Sequence, residues 1–416
     1  MMTRRDFLAA SSAAGLSAAM PSFAFARPQE TIRIGLIGCG GRGTGAANDA
    51  LTASEGVELV AMGDVFRDRL ESSYKNLQEW KPKGLNVKPE KMFVGLDAYK
   101  KVLDAGVDLV ILTTPPCFRP IHLEAAVKAG KHVFMEKPVA VDGEGVRKVM
   151  ELADLAKDKG LAIVAGTQRR HEFKYREVMK RIHDGAIGDV TSMRAYWNQG
   201  GLWAVTRKDG MSDLEWQLRN WLYFTWISGD HIIEQHIHNI DVCLWACQKL
   251  PIKAISHGGR QTRTDPLYGH IYDHFATELH FENNVVMHTY CRQQDGTVAN
   301  VSEFIQGTKG QSNGGGRIWG ENSFRYEGEN TNPYVQEHKH LVESIRSGNL
   351  LNEGRQVAES TLAALMGRLA AYTGQEITRD QALATKSLMP KDLSFDMSIP
   401  VAPVPMPGLT KLEMFL

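Results

Sequence analysis

The sequence predicts an α/β protein: a doubly wound parallel sheet, followed by an α+β half built on a largely antiparallel, open sheet. Three observations carry this expectation. A short Ile-rich run, Thr31 to Ile37, leads directly into a dense glycine turn, Gly38 to Gly45. Apolar runs of strand length then alternate with helical patterns over about 130 residues, the rhythm of parallel strands joined by crossover helices. After a helical segment at 171–184 the rhythm changes to strand-like runs that alternate apolar and polar residues, as antiparallel strands with one wetted face do.

In chain order, the glycine turn comes first. Gly38, Gly40 and Gly43 fit the pattern G-x-G-x-x-G. The first glycine permits a tight turn, the second lets backbone approach a pyrophosphate, and the third lets helix pack close to strand. Ala46, Ala47 and Ala50 begin the helix, whose N-terminus presents unpaired N–H groups to phosphate oxygens. The next apolar run, 57–63, ends in Asp64, at the spacing where a carboxylate meets the ribose hydroxyls of a dinucleotide. Asp64 as a plain cap for the helix at 67–80 is the alternative; strand, turn, helix, strand and acid in order favour the dinucleotide. A carboxylate here repels a 2′-phosphate, so NAD is expected, with NADP the alternative through nearby Arg67.

Further strands at 107–112, 131–135 and 161–165 alternate with helices at 121–129 and 143–159. The first of these strands ends in Thr113-Thr114-Pro115-Pro116, a turn able to pass over a nicotinamide ribose. The second ends in Glu136-Lys137-Pro138. Ligands of such sheets gather at the carboxyl ends of strands. The expected cofactor residues are Gly38, Gly40, Gly41, Arg42, Gly43, Asp64, Thr113, Thr114, Pro115, His122, Glu136 and Lys137.

The second half offers strands at 191–197, 254–260, 275–281 and 285–291, the last two joined by a hairpin turn, Glu282-Asn283-Asn284. Shorter runs at 302–307 and 316–319 and helices at 333–347 and 353–372 follow, then a Pro-rich tail. The expected domains are 27–168, which binds dinucleotide, 169–385, which takes substrate and mediates assembly, and the tail 386–416.

Residues 1–26 read as a leader. Arg4-Arg5 precede a mildly apolar Ala/Ser-rich run, and Ala24-Phe25-Ala26 supplies small residues for a signal peptidase. This is a twin-arginine type signal, which implies a periplasmic or otherwise exported protein with no membrane span after cleavage. Lys+Arg and Asp+Glu each number 48, so bulk charge offers nothing to nucleic acid. Five scattered cysteines make no disulfide framework.

Two later stretches carry chemistry. At 100° per residue, a helix over 228–241 puts His231, Glu234, His238 and Asp241 on one face and Ile233, Ile237, Ile240 and Leu244 on a buried one. His238 suits proton transfer, since an imidazole titrates near neutrality. Asp230 reads as an N-cap and Asp241 as a structural hydrogen-bond partner. His231, Glu234 and His238 as three metal ligands are the weaker alternative, and no metal is expected. Trp197, Trp203, Trp216, Trp221, Tyr223 and Trp226 crowd together among Arg219 and Asn220. Aromatic faces with polar rims suit a sugar, and Trp197, Trp203, Arg219, Trp221 and His231 are the candidate substrate residues; packing in a core is the plainer reading of the others.

Gly38-Cys39-Gly40, Glu136-Lys137-Pro138, the helix end from Arg368 to Gly374 and the His238 helix together give a resemblance to the glucose–fructose oxidoreductase, inositol dehydrogenase and rhizopine-catabolism (Gfo/Idh/MocA) family, over about residues 32–382. The resemblance implies that Lys137 reaches the nicotinamide and the reacting hydroxyl, and that the Lys137–Pro138 bond is cis. The family pattern D-x-G-x-H-x-x-D is matched by His238 and Asp241; Glu234 stands for its first Asp and His236 for its Gly. It implies an NAD(P)-dependent oxidoreductase acting on a sugar, cyclitol or glycoside hydroxyl, with Lys137, His238 and Glu234 catalytic, as a homo-oligomer, dimer or tetramer. An NAD-dependent glycoside hydrolase and a non-catalytic NAD and sugar sensor are the alternatives.

Overall fold

The computed structural model describes residues 31–416. The leader, 1–26, therefore lies outside the described residues. Six parallel strands form the first sheet: β1 (Ile32–Ile37), β2 (Val57–Asp64), β3 (Met92–Val94), β4 (Leu109–Leu112), β5 (His132–Met135) and β6 (Ile163–Ala165). Their order is β3-β2-β1-β4-β5-β6, the doubly wound order that reverses between β1 and β4. All four residues of β4 are buried, as both faces of such a sheet are covered. The helices Arg67–Trp80 and Pro333–Ser347 fall where the sequence expects them, those expected at 121–129, 143–159, 171–184 and 353–372 shift by one or two residues at their ends, and the one expected over 228–241 is divided.

The second sheet has nine strands. β7 (Val190–Gln199), β8 (Lys253–Gly259), β9 (His274–His280), β10 (Val286–Gln293) and β11 (Asn300–Gly307) are the long ones. β12 (Gly310–Ser312), β13 (Arg317–Gly320), β14 (Phe324–Arg325) and β15 (Ile377–Thr378) extend its edges. The order is β14-β13-β12-β11-β7-β10-β9-β8-β15, antiparallel throughout except where β10 runs parallel to β7. The expected hairpin joins β9 to β10, with Asn283 and Asn284 both at φ 61°, the left-handed region Asn tolerates.

The helix Gly354–Thr373 holds the two sheets together. It is buried along nearly its whole length, the mark of a helix apolar on all sides. It packs on the helix Gly143–Asp158 from the first half and on β8 from the second. Its one buried cation, Arg368, donates from Nη1 to the carbonyls of Val141 (2.8 Å) and Gly229 (3.2 Å), tying one connecting segment of each half. Side chains of both halves consequently share one apolar cluster, and Ile32–Leu416 is a single compact unit. The tail is part of it: Leu388, Phe395, Met397 and Ile399 pack against Trp216, Trp226 and Phe66. Tyr272 Oη donates to the Pro405 carbonyl at 2.8 Å.

Candidate active site

The glycine turn folds as its spacing requires. Gly38 sits at φ +97°, and a Cβ at Gly43 would lie 1.9 Å from the Gly38 carbonyl, so helix and strand touch there. A Cβ at Gly40 or Gly41 would meet nothing within 4 Å. The helix Gly41–Ala53 starts above that open space with no side chain capping its first N–H groups. This is the seat a diphosphate needs. Asp64 ends β2 beside it. Its carboxylate accepts from the Cys39 N–H (2.6 Å) and the Phe66 N–H (2.9 Å), which fixes it at the turn. Burial nevertheless pushes the carboxyl up, against those two donors. The residues present fit a dinucleotide along this groove.

The ends of β4 and β5 are laced together. Thr113 Oγ1 donates to the Gly38 carbonyl at 2.6 Å. Arg119, which the sequence reading missed, is fully buried and donates to the Thr114 carbonyl (2.6 Å) and the Glu136 carbonyl (2.9 Å). Desolvation holds its guanidinium down at about 10. His122 stands behind Thr114 Oγ1, at 3.1 Å, stacked between Tyr99 and Phe118. Burial, with Arg119 beside it, lowers His122 to about 3, so it is a neutral packed imidazole that positions Thr114. Glu136 accepts from Arg42 Nε (2.5 Å) and from the Lys137 N–H (3.2 Å).

Lys137 opens the cis bond to Pro138. Its Nζ donates to the carbonyl (2.6 Å) and to Oε1 (3.2 Å) of Glu234, so the ammonium is held from the far wall of the cleft by the second half of the chain. The expected continuous helix over 228–241 is two helices, His231–Glu234 and Ile237–Cys247, broken at Gln235 and His236. The break has a cause. His236 is buried and hydrogen-bonded to Thr289 of β10, and Gln235 accepts from Gln293, so both side chains are drawn to the sheet rather than along a helix face. Burial lowers His236 to about 3.

The stripe is divided accordingly. His231 is buried, with Nδ1 3.0 Å from Asp230 Oδ1 and its ring against Phe275. Asp230, at φ 74°, accepts the His231 N–H, the Tyr272 N–H and the Tyr372 hydroxyl, which bears out the cap reading. Asp241 accepts a two-pronged bond from Arg170 (2.8 and 3.0 Å) and one from Ser360 (2.7 Å), the structural role expected of it. His238 remains in the cleft, stacked on Trp197 with centroids 5.6 Å apart. Burial and the positive charges of Lys137, Arg169 and Arg42 hold its imidazole well below its usual range, so it is neutral and a weaker base than a solvated imidazole. Among the described residues no group of three His, Cys, Asp or Glu side chains is disposed to hold a metal ion.

The aromatic segment separates in the same way. Trp197 backs His238, and Arg169, paired with Glu303, lies over its ring. Trp203 is half exposed and edge-on to Trp221, which itself packs against Leu222 and Tyr223. Arg219, expected at the substrate, is engaged elsewhere. It binds Asp68 (2.9 and 3.1 Å) and Glu215 (2.9 Å) and covers the Phe66 ring at 3.9 Å. It therefore fastens its loop to the end of β2, where Asp64 lies, because the acids there are nearer than any open rim. Trp216 and Trp226 are core.

The chain is similar to known proteins in family and in fold. Residues 32–167 match the family model described as "Oxidoreductase family, NAD-binding Rossmann fold", and residues 175–312 match "GFO/IDH/MocA C-terminal domain". A scyllo-inositol 2-dehydrogenase (NAD(+)) of Bacillus subtilis is 26% identical over 216 residues, which cover 51% of this chain and 53% of that protein. A glycosyl hydrolase family 109 protein of Streptomyces coelicolor is 29% identical over 163 residues, 39% of this chain and 33% of the relative. The chain thus spans about half, or less, of the length of these curated relatives. Among solved structures, scyllo-inositol dehydrogenase from Lactobacillus casei with bound NAD(H) and scyllo-inositol superposes with a TM-score of 0.64 at 21% identity, covering 84% of this chain and 100% of that one. At that identity the likeness speaks for the fold.

Proposed function

We propose, for a chain that belongs to the Gfo/Idh/MocA oxidoreductase family, an enzyme that oxidises or reduces a CH–OH group of a cyclitol, sugar or glycoside with NAD. The observation that carries this reading is the meeting of Lys137, Glu234 and neutral His238 at the carboxyl end of β5, beside the open seat at Gly40.

In this reading Gly40, Gly41 and the helix N-terminus hold the diphosphate, Asp64 the adenosine ribose, and the ends of β4 and β5 the nicotinamide half. When bound, the nicotinamide exchanges a hydride with the substrate carbon. His238 takes the hydroxyl proton as the C–O bond becomes a carbonyl and returns it in the reverse direction. Lys137 donates a hydrogen bond to the same oxygen and stabilises its developing negative charge. Glu234 holds Lys137 through both its carbonyl and its carboxylate. Trp197 fixes the plane of the His238 ring and offers an aromatic wall. The relatives named for inositol support a cyclitol or a sugar with a similar ring of hydroxyls as the substrate class.

The twin-arginine leader belongs to the same proposal. An exported enzyme works where free NAD is scarce, so it keeps its cofactor bound and returns it to its starting state within each cycle. The relative named for glycosyl hydrolase family 109 supports a second reading, in which a transient oxidation permits glycoside cleavage. One screen separates them. Purified protein is given cyclitols, free aldoses and aryl glycosides while nicotinamide absorbance and sugar release are followed. A change in the absorbance of the bound nicotinamide on adding one cyclitol or aldose, reversed by a second substrate, supports the dehydrogenase; release of free sugar with no net absorbance change supports the hydrolase. Binding without turnover in every case would defeat both and leave a sensor.

A further inference from the structure

The helix Pro333–Ser347 belongs by sequence to the second half, yet it packs on the phosphate helix Gly41–Ala53. It brings Glu337 beneath the glycine turn. Glu337 is completely buried, and its Oε1 accepts from Arg42 Nη2 at 3.2 Å. Arg42 Nε in turn donates to Glu136 Oε1 at 2.5 Å, and Glu136 Oε2 accepts the Lys137 N–H at 3.2 Å. Tyr334, one turn before Glu337, lies under the Arg42 guanidinium, 4.9 Å from its centre. A continuous chain thus runs from Glu337 through Arg42 and Glu136 to Lys137 and on to Glu234.

We propose that Glu337 is a positioning residue for Lys137, acting through Arg42 and Glu136. The proposal rests on the reading of Lys137 given above. The charges show why the position matters. Three carboxyl groups, Asp49, Glu136 and Glu337, face one guanidinium. Arg42 is the second residue of the phosphate helix, next to the open space at Gly40 and Gly41. Left to itself, a guanidinium there is free to swing away from Glu136. Glu337 approaches from the protein interior and holds the guanidinium back, so that its Nε keeps facing Glu136. Glu136 is then fixed against the Lys137 peptide, and the ammonium is aimed at Glu234.

Glu337 has a second trait that a merely structural ion pair lacks. Its Oε2 has no hydrogen-bond partner among the described residues. Burial and the charge of Glu136 push its carboxyl well above the usual carboxylate range, and Arg42 engages it only through Oε1, as an acceptor. An amide oxygen can do the same. The geometry therefore assigns Glu337→Gln as the conservative replacement and Glu337→Leu as the disruptive one.

The test uses the full-length protein and two readouts. The first is the rate of hydride transfer at saturating substrate. Glu337→Leu is expected to lower it at least about tenfold, with the substrate KM and the Kd of NADH each moving less than about threefold, while Glu337→Gln recovers most of the rate. The second readout needs no turnover: acylation of Lys137 by acetic anhydride, measured by peptide mapping against exposed Lys128 as the internal reference. Glu337→Leu is expected to raise Lys137 labelling several-fold, and Glu337→Gln to leave it near wild type. Unchanged rate and labelling in Glu337→Leu, with cooperative melting intact, would overturn the proposal. So would a Gln variant as impaired as the Leu variant. If Glu337→Leu does not fold, Glu337→Gln and Tyr334→Ala carry the test: labelling raised in Gln as it is with Arg42→Ala would overturn it, and labelling raised in Tyr334→Ala but not in Gln would support it. A wild-type protein that turns over no cyclitol, sugar or glycoside defeats the functional reading alone, and the labelling still decides the role of Glu337.

Discussion

At the scale of single residues, the proposed chemistry rests on Lys137 and His238, and each has a separate support. Lys137 is held by Glu234 from across the cleft; His238 is kept neutral by burial and by three nearby cations. Lys137→Ala and His238→Ala are each expected to lose about 10²–10⁴-fold in turnover while binding NADH nearly as wild type, since removing a positioned proton-transfer group costs about that much. Rapid-mixing kinetics with a separate NADH titration checks it. Near-wild-type turnover in His238→Ala would shift the base to Lys137. The sequence shows both residues because each stands in a local motif. Arg119 and Glu337 are invisible to the same reading. Each sits in an ordinary helical pattern, and its importance arises only in the fold, where Arg119 comes under the ends of β4 and β5 and the remote Glu337 comes under Arg42.

At the scale of elements, the glycine turn supports a paired prediction. Gly43→Ala places a methyl against the Gly38 carbonyl and Thr113 Oγ1, contacts of 1.9 and 2.6 Å that only a backbone shift relieves. It is expected to lower the melting temperature by several degrees and to abolish cofactor binding. Gly40→Ala adds a methyl in open space at a φ of −70°, which alanine adopts freely. It is expected to melt as wild type yet bind NAD at least about tenfold more weakly, because the methyl stands where backbone must meet the diphosphate. Thermal melts and cofactor titrations of the two variants distinguish the roles; equal loss of stability in both would contradict the assignment. This turn was legible because its geometry is local. The break at Gln235 and His236 was not. Helical periodicity over 228–241 is intact in the sequence, and what overrides it is the pull of Thr289 and Gln293 on the neighbouring sheet. The alternation that reveals strands says nothing of which strands will lie beside them, so the parallel pairing of β7 with β10 also had to be seen.

At the scale of the whole molecule, buried histidines make stability depend on pH. His122, His236 and His270 are lowered to about 3, 3 and 4 by burial, against an unfolded value of about 6.5. Between those limits the unfolded chain binds a proton at each site that the native protein does not, so stability rises with pH. It is complete above about pH 6.5 and falls below it by about 1.4 kcal/mol per pH unit for each histidine. Denaturant unfolding at pH 7.5 and pH 5 should show a marked loss at the lower pH, and His122→Asn should blunt it. A flat profile would place these rings in contact with solvent.

The tail and the aromatic segment act at this same scale, and they bear on how the cofactor is kept. The sequence marks 386–416 only as Pro-rich, yet its apolar residues recur too irregularly for a helix or strand while still being numerous enough to pack. Leu388, Phe395, Met397 and Ile399 join Leu214, Leu218 and Trp226 in one cluster with Val65, Phe66 and Phe118. Those last three follow the ends of β2 and β4, the strands that carry Asp64 and Thr114. Arg219 is pinned to the same place by Asp68. Two segments remote in sequence therefore brace the loops after β2 and β4, which in the proposed reading would hold the adenosine and the nicotinamide halves of NAD. Slow release needs those loops to stay closed, because each opening exposes the apolar cluster to water at about 25 cal/mol per Å². Wild-type protein is accordingly expected to retain NAD(H) through dialysis and to turn over without added cofactor. Phe395→Ser and Arg219→Gln are each expected to speed NADH dissociation several-fold while leaving the hydride-transfer step unchanged, since neither touches Lys137 or His238. Stopped-flow displacement of NADH, with assay of nicotinamide dinucleotide in the supernatant of denatured, dialysed protein, measures both. Wild-type protein that emerges from dialysis empty, with release rates equal to those of the two variants, would show that the braced loops do not govern retention, and would remove the support they give to an exported enzyme that keeps its cofactor.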